Sequence, residues 1–87
     1  MTSITVLYVD DEPDLLYLGK TFLEATGGYH VDTRQSGPEG IEALRAHLYD
    51  VVISDYQMPE MDGLAFLKAV RSEFSSLPFI LFTGRGR

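Results

Sequence analysis

The sequence predicts an α/β fold built on a parallel sheet, and two patterns support this prediction. Short apolar runs alternate with longer segments of helical spacing, which gives the order β-α-β-α-β-α-β along 87 residues. Two of these runs, Ile4–Val9 and Asp50–Asp55, are almost continuously apolar, as expected for strands that helices cover on both faces. Right-handed crossovers join parallel strands, so the helices should return the chain to one sheet.

The first half of the chain predicts two helices separated by an edge strand. Pro13 suits the first turn of a helix, and the glycines Gly27–Gly28 are a stop signal. The segment Tyr29–Arg34 alternates between apolar and polar residues, which predicts a half-exposed strand at a sheet edge. Ser36 and Glu39 have the spacing of a capping box. The apolar positions expected on the two helices are Leu15, Leu16, Leu18, Phe22 and Leu23, then Ile41, Leu44 and Leu48.

The second half predicts a loop, a third helix and a fourth strand. Pro and Gly residues mark 57–63 as a loop, and Asp62 could cap the helix that follows. Pro78 opens the last strand, Phe79–Phe82. Because this run is as apolar as the first and third, we expect those three strands to be the inner ones. The apolar positions expected on the third helix are Leu64, Phe66, Leu67 and Val70.

The composition excludes several functions. A net charge of −6 and a pI of about 4.6 argue against a nucleic-acid surface or an anionic membrane surface as a partner. There is no cysteine, so disulfides and thiolate metal sites are excluded. No apolar run approaches the roughly 20 residues of a membrane span, and the N-terminus lacks a signal-peptide pattern. We expect a single domain, residues 1–87, of a soluble cytoplasmic protein.

Acidic and hydroxyl side chains stand where three of the predicted strands end. Asp10 and Asp11 follow the first strand, Asp55 ends the third and Thr83 follows the fourth. Parallel strands end at one edge, where open α/β sheets bind ligands. Three carboxylates at close range repel one another, and a hard divalent cation such as Mg²⁺ relieves this repulsion. With a metal bound, Asp55 is a plausible nucleophile toward phosphorus, and Thr83 could contact a phosphoryl oxygen.

Each of these residues also has an ordinary structural explanation when taken alone. An acidic stretch such as Asp10–Asp14 is often a solvated loop or a helix N-terminus, and Asp55 or Thr83 could simply end a strand. Their combination at corresponding strand ends favours the functional interpretation. His30 and His47 are isolated in the sequence, and we expect both to be surface residues.

Three segments of the chain resemble the receiver domain of two-component response regulators: residues 7–13, 50–63 and 78–84. The motif Asp-x-x-Met-Pro-x-Met-Asp-Gly in the second segment is the most specific. The resemblance implies a flavodoxin-like, doubly wound parallel sheet with strand order 2-1-3-4. The fifth strand and last two helices of that family have no counterpart here, and neither has the lysine that contacts its phosphoryl group. Strand 79–82 would therefore be an apolar edge open to self-association.

The same resemblance implies a role for each site residue. Asp55 would be the phospho-acceptor, and its donor would be a phosphohistidine on a sensor histidine kinase or phosphotransfer protein. Asp11 and Asp55 would bind Mg²⁺, or another divalent cation such as Mn²⁺, directly, while Asp10 would act mostly through water. The backbone carbonyl of Gln57 would be the third protein ligand, and Thr83 would be the switch hydroxyl.

Two further implications concern the loop and the chemistry. Pro59 and Gly63 would shape the loop beside the site. The module would assist its own phosphorylation without turning over a separate substrate, so it would not be an enzyme in the usual sense.

Two alternative functions stay open at this point. One is a binding or scaffold module with a receiver-like fold that does not switch. A weaker one is a metal-dependent phosphatase with an aspartyl nucleophile, which would need a second Asp where Gln57 stands. The basic stretch Gly84-Arg85-Gly86-Arg87 is typical of a protease-sensitive boundary, so we also expect these 87 residues to be a fragment of a longer protein.

Overall fold

The computed structural model describes residues 3–83, which form four parallel strands in one sheet and three helices. The elements are β1 Ile4–Val9, α1 Pro13–Ala25, β2 Tyr29–Arg34, α2 Gly37–Ala46, β3 Val51–Asp55, α3 Gly63–Glu73 and β4 Phe79–Phe82. The strand order is β2-β1-β3-β4. This confirms the predicted α/β fold, its flavodoxin-like strand order and the edge position of β2. The basic segment 84–87 lies outside the described residues.

The position of β4 differs from the expectation based on its apolar run alone. That run predicted an inner strand, yet within residues 3–83 β4 pairs only with β3 and forms an edge. One face of this strand is covered, since the Phe79 ring packs against Phe66 of α3, with 5.5 Å between the ring centroids. On the other side Ile80 is 54% exposed. An edge strand can therefore carry a fully apolar sequence when only one of its faces is covered.

The helices cover the two faces of the sheet unequally. One face packs against α2 and α3 and forms the main core. Its buried members are Leu7, Val9, Ala43, Leu44, Val52, Met58, Phe66 and Val70. On the opposite face, Tyr8 of β1 packs against Gly19 of α1. None of the helices in residues 3–83 combines the length and hydropathy needed to cross a bilayer.

The apolar stripe of α1 is only partly buried. Pro13 begins this helix as predicted, and Leu16 is buried against the sheet. Leu18 and Phe22, however, are 62% and 71% exposed. Within residues 3–83, α1 has no neighbouring helix on its side of the sheet to cover them, since α2 and α3 both pack on the other side.

The caps of α2 and α3 lie where the sequence predicted them. The Ser36 hydroxyl accepts a hydrogen bond from the Glu39 N–H at 3.2 Å, and the Asp62 carboxylate accepts one from the Ala65 N–H at 2.9 Å. The return bond of the capping box is displaced by one residue, because the Glu39 carboxylate accepts from the N–H of Gln35 at 3.2 Å. These bonds satisfy N–H groups that a helix leaves without an intrahelical partner.

The segment after α2 departs from the helical spacing of the sequence. His47 is extended and ends the helix, so the prediction that Leu48 belongs to its apolar face is wrong, and Leu48 is 95% exposed. The next residue anchors the segment, since the Tyr49 hydroxyl donates to the Asp32 carboxylate of β2 at 2.6 Å. This bond lowers the pKa of Asp32, and burial together with the bond raises the pKa of Tyr49 to about 12.

The outer side of β2 is occupied by a side chain of α1. The Glu24 carboxylate accepts a hydrogen bond from the Val31 N–H at 2.9 Å. In a parallel edge strand such a donor otherwise points toward solvent or toward an incoming strand. His30 lies beside the carboxylates of Glu24 and Asp32, at 4.0 and 3.3 Å, and is exposed. His47 is exposed as well, so the prediction that both histidines are surface residues is confirmed.

Replacing Tyr49 by Phe should lower the free energy of unfolding by about 1 kcal/mol near neutral pH, because one side-chain hydrogen bond is lost. The folded-state pKa of Asp32 is lowered, so the bond contributes fully above the ordinary Asp value of about 3.9 and less as pH falls through the folded value. The stability difference between Tyr49→Phe and wild type should therefore narrow below about pH 4.

Urea unfolding at several pH values measures this difference. Tyr17→Phe is the matched control, because the Tyr17 side chain is 70% exposed. A difference that stays constant from neutral to acid pH would contradict the assigned role of Asp32.

Candidate functional site

The pairing of β1 with β3 brings three carboxylates together. Val9 pairs with Ser54, so the residues that follow Val9 come beside Asp55 at the carboxyl edge of the sheet. One carboxylate oxygen from each of Asp10, Asp11 and Asp55 lies within 4.8 Å of the others. Asp10 and Asp55 are buried and Asp11 is partly exposed. The structure thus places these three predicted site residues in one cluster.

The backbone around Asp10 holds its side chain in the cluster. The Asp10 N–H donates to the carbonyl of Arg34 at 3.1 Å, which extends the β1–β2 ladder by one residue. Its carboxylate accepts a hydrogen bond from the N–H of Glu12 at 2.9 Å, two residues along the chain. This local bond is typical of an Asp that turns the chain after a strand. It directs the backbone from β1 toward Pro13 and α1.

The chemistry of the cluster fits a small, hard divalent cation. Buried carboxylates are costly unless a positive charge or hydrogen bonds compensate for the lost water. Oxygen-only ligands at close range suit Mg²⁺ or Mn²⁺, which take one or two carboxylates together with waters. The negative potential extends to a neighbouring aromatic side chain: burial first, then the charges of Asp10 and Asp55, raise the pKa of Tyr8. The donor set therefore fits the predicted cofactor.

The loop between β3 and α3 is held by short backbone bonds. The N–H of Met61 donates to the carbonyl of Pro59 at 2.7 Å, and the N–H of Gly63 donates to the carbonyl of Tyr56 at 2.7 Å. Between them Glu60 has a φ of 69°, the left-handed region that favours glycine. Met58 is buried in the core beneath the loop. The segment is therefore a compact turn beside Asp55.

Gly63 is required by the close approach of α3 to the sheet. A Cβ at this position would overlap the backbone carbonyl oxygen of Asp55 and would come within 2.5 Å of the Leu81 side chain. The first turn of α3 therefore packs directly on the backbone of Asp55. This contact gives a physical reason for a glycine where the sequence predicted a loop-shaping residue.

Thr83 lies at the same edge of the sheet as the carboxylates. Phe82 pairs with Asp55, and the Phe82 carbonyl accepts a hydrogen bond from the N–H of Tyr56 at 2.7 Å. Thr83 is the next residue, so it follows the end of β4 on the same side of the sheet as the end of β3. Its side chain is exposed. Gln57 also lies at this edge, where a shallow cavity of about 410 Å³ opens beside the cluster. The residues that line this cavity are Asp11, Tyr56, Gln57, Met58, Pro59 and Asp62.

Two residues near the site were missed by sequence reasoning. Tyr56 lines the cavity, and its position directly after Asp55 was the available signal. Tyr8 lies within the electrostatic influence of Asp10 and Asp55 but was counted only as part of an apolar strand. Side chains alternate between the two faces along a strand, so residues two apart, such as Tyr8 and Asp10, lie on the same face. This spacing was the available signal for Tyr8.

The chain belongs to the response regulator receiver domain family of two-component systems. The family model described as "Response regulator receiver domain" matches residues 6–87. The chain is similar to the response regulator Rre1 of Synechocystis sp., with 41% identity over 85 residues, 95% of this chain and 37% of that protein. It is also similar to the probable transcriptional regulatory protein TcrX of Mycobacterium tuberculosis, with 39% identity over 82 residues, 94% of this chain and 35% of that protein.

Solved structures show the same fold. The response regulator TrrA of Thermotoga maritima, crystallised with Mg²⁺ and BeF, matches with a TM-score of 0.87 and 34% identity, over 97% of this chain and 70% of that one. A structure of the histidine kinase ThkA in complex with TrrA matches with a TM-score of 0.87 and 33% identity, over 100% of this chain and 72% of the matched one. The chain spans less than two fifths of the two curated relatives described above, at 37% and 35% of their lengths.

Replacing Gly63 by Ala should lower the free energy of unfolding by about 2 kcal/mol, because the added methyl group overpacks the contact between α3 and β3. Leu64→Ala is the matched control at the next position, where the side chain is exposed. Its effect should be within about 0.5 kcal/mol. Chemical denaturation measures both values, and equal effects would contradict the close packing at Gly63.

Proposed function

We propose that this receiver domain is the phospho-accepting module of a two-component phosphorelay, with Asp55 as the acceptor. The observation that carries the proposal is the cluster of Asp10, Asp11 and Asp55 at the carboxyl edge of the sheet. Two neighbours add support, since TrrA was crystallised with Mg²⁺ and BeF and also with a histidine kinase. The donor would be a phosphohistidine on a sensor kinase or a phosphotransfer protein.

The proposed reaction is a transfer between two side chains. A carboxylate oxygen of Asp55 attacks the phosphorus, the P–N bond to the donor histidine breaks, and the imidazole leaves with the electron pair and takes up a proton. Asp11, Asp55 and the backbone carbonyl of Gln57 would hold Mg²⁺ or Mn²⁺, with Asp10 acting through water. Such a cation, when bound, neutralises the charge on the phosphoryl oxygens.

The other site residues have supporting roles in this proposal. Thr83 would donate its hydroxyl to a phosphoryl oxygen and so report phosphorylation, while Pro59 and Gly63 keep the loop compact. Both lysines of the chain lie in helices, Lys20 in α1 and Lys68 in α3. Neither lysine is assigned a contact with the phosphoryl group, so the bound cation would supply the positive charge there. The module would act in the cytoplasm without a separate substrate, and without contacting nucleic acid or a membrane.

Acetyl phosphate with Mg²⁺ tests the proposal, because it is a small phosphoryl donor that needs no kinase. The wild-type protein should gain the mass of one phosphoryl group, and Asp55→Asn should gain none. Asp14→Asn is the matched control, since it removes an exposed carboxylate from the first turn of α1. It should be phosphorylated like the wild type.

The other outcomes identify the alternative functions. Binding of Mg²⁺ without any mass gain would contradict the proposal and favour a binding module that does not switch. Repeated turnover of a phosphorylated small molecule would instead favour a phosphatase. Isothermal titration measures the binding of Mg²⁺, and Asp11→Asn should weaken this binding at least tenfold, since the loss of a single charged ligand costs more than about 1.4 kcal/mol.

We also propose that these 87 residues self-associate through the outer edge of β4. Within residues 3–83 the outward backbone groups of β4 have no strand partner, and the Ile80 side chain is exposed on one face of this strand. Edges of this kind pair readily with another chain. Sedimentation equilibrium should detect dimers that Ile80→Lys weakens, whereas Leu48→Lys, a change at an exposed apolar residue outside the strands, should have little effect. A wild-type protein that stays monomeric at high concentration would contradict this proposal.

A further inference from the structure

Tyr8 forms a contact that crosses the central strand of the sheet. It lies on β1, in register with Ile53 of β3, while Phe82 lies on β4, in register with Asp55. Two strand spacings of about 4.8 Å separate β1 from β4. The ring centroids of Tyr8 and Phe82 are nevertheless only 6.2 Å apart, with the rings tilted by 51°. Both rings therefore lean toward each other across β3, on the face that carries Asp55.

The other side of the Tyr8 ring is fixed by α1. A Cβ at Gly19 would overlap the Cε2 atom of Tyr8, so the ring rests directly on the helix backbone. Tyr8 is thus held between Gly19 of α1 and Phe82 of β4. A ring confined on both sides cannot shift without moving one of these neighbours.

The contact matters because of the residue that follows Phe82. β4 has only four residues, and the strand that pairs with it is β3. The packing of the Tyr8 ring on Phe82 is therefore an additional contact at the end of β4, directly before Thr83. Any change in the position of Phe82 moves Thr83 relative to Asp55, since the two residues are consecutive.

We propose that Tyr8 is a positioning residue for the phosphorylated state: through Phe82, its ring sets the distance between the Thr83 hydroxyl and the phosphoryl group on Asp55. This inference rests on the proposed function of Asp55. The aromatic ring is the required part of Tyr8, because the contact with Phe82 is made by the ring.

The experiment compares Tyr8→Phe, which keeps the ring, with Tyr8→Leu, which removes it. After phosphorylation by acetyl phosphate and removal of the donor, loss of the phosphoryl group is followed by intact mass. Tyr8→Leu should shorten the phosphoryl lifetime by about three- to tenfold, the factor that corresponds to one aromatic pair. Tyr8→Phe should keep the lifetime near the wild-type value. Mg²⁺ affinity should be the same in all three proteins, because the carboxylates are unchanged.

A second variant tests the contact itself. Phe82→Leu should shorten the lifetime as Tyr8→Leu does, and the double variant should show no additional effect, since both changes break one contact. If Tyr8→Leu does not fold, Phe82→Leu on the exposed edge strand still supplies the comparison. Additive effects of the two changes would overturn the proposal, as would an unchanged lifetime or a parallel loss of Mg²⁺ affinity. Tyr17→Leu, at an exposed position of α1, is the matched control.

The position of Thr83 is also measured without phosphorylation. The amide resonance of Thr83 in the unphosphorylated protein should shift in Tyr8→Leu but not in Tyr8→Phe. A wild type that cannot be phosphorylated would contradict the proposed function, whereas an unmoved Thr83 resonance in Tyr8→Leu would contradict only the role of Tyr8.

Discussion

The parallel pairing of β1 with β3 determines where the negative charge of this protein is concentrated. With Val9 opposite Ser54, the residues after β1 meet the last residue of β3 at one edge. A slip of two residues would keep the same faces of the strands but would displace Asp55 by roughly 6.6 Å along the sheet. The cluster would then be separated. The apolar core beneath the strands therefore has a direct effect on chemistry, because it is this core that fixes the register.

The geometry of the cluster depends on small residues and close contacts. Gly63 lets α3 approach the backbone of Asp55, and Gly19 lets α1 approach the ring of Tyr8. The two helices lie on opposite faces of the sheet, and each approaches it closely at a glycine. A rigid surrounding is useful for phosphoryl transfer, where positioning and electrostatic stabilisation supply most of the rate.

Strand ends, caps and the edge position of β2 were accessible from the sequence because each depends on local pattern. Other features depend on which elements meet. The helical spacing that includes Leu48 continues past the end of α2, and no glycine or proline marks the stop. The exposure of Leu18 and Phe22 depends on how many helices pack on the same face of the sheet. The helical spacing of apolar residues in the sequence does not reveal this number. The convergence of Asp10, Asp11 and Asp55 followed from strand ends, whereas the contact of Tyr8 with Phe82 requires knowing that two rings lean across a strand between them.

The two edges of the sheet are chemically different, because the Glu24 carboxylate occupies the outward N–H of Val31 on β2. A sheet with two accessible edges can add molecules at both ends and grow into a filament. A strand approaching β2 would have to displace the Glu24 carboxylate, which already accepts the hydrogen bond of the Val31 N–H. Within residues 3–83 this leaves β4 as the more accessible edge. If two molecules pair there, as proposed above, each covers the β4 edge of the other, and the result is a closed, isologous pair related by a twofold axis.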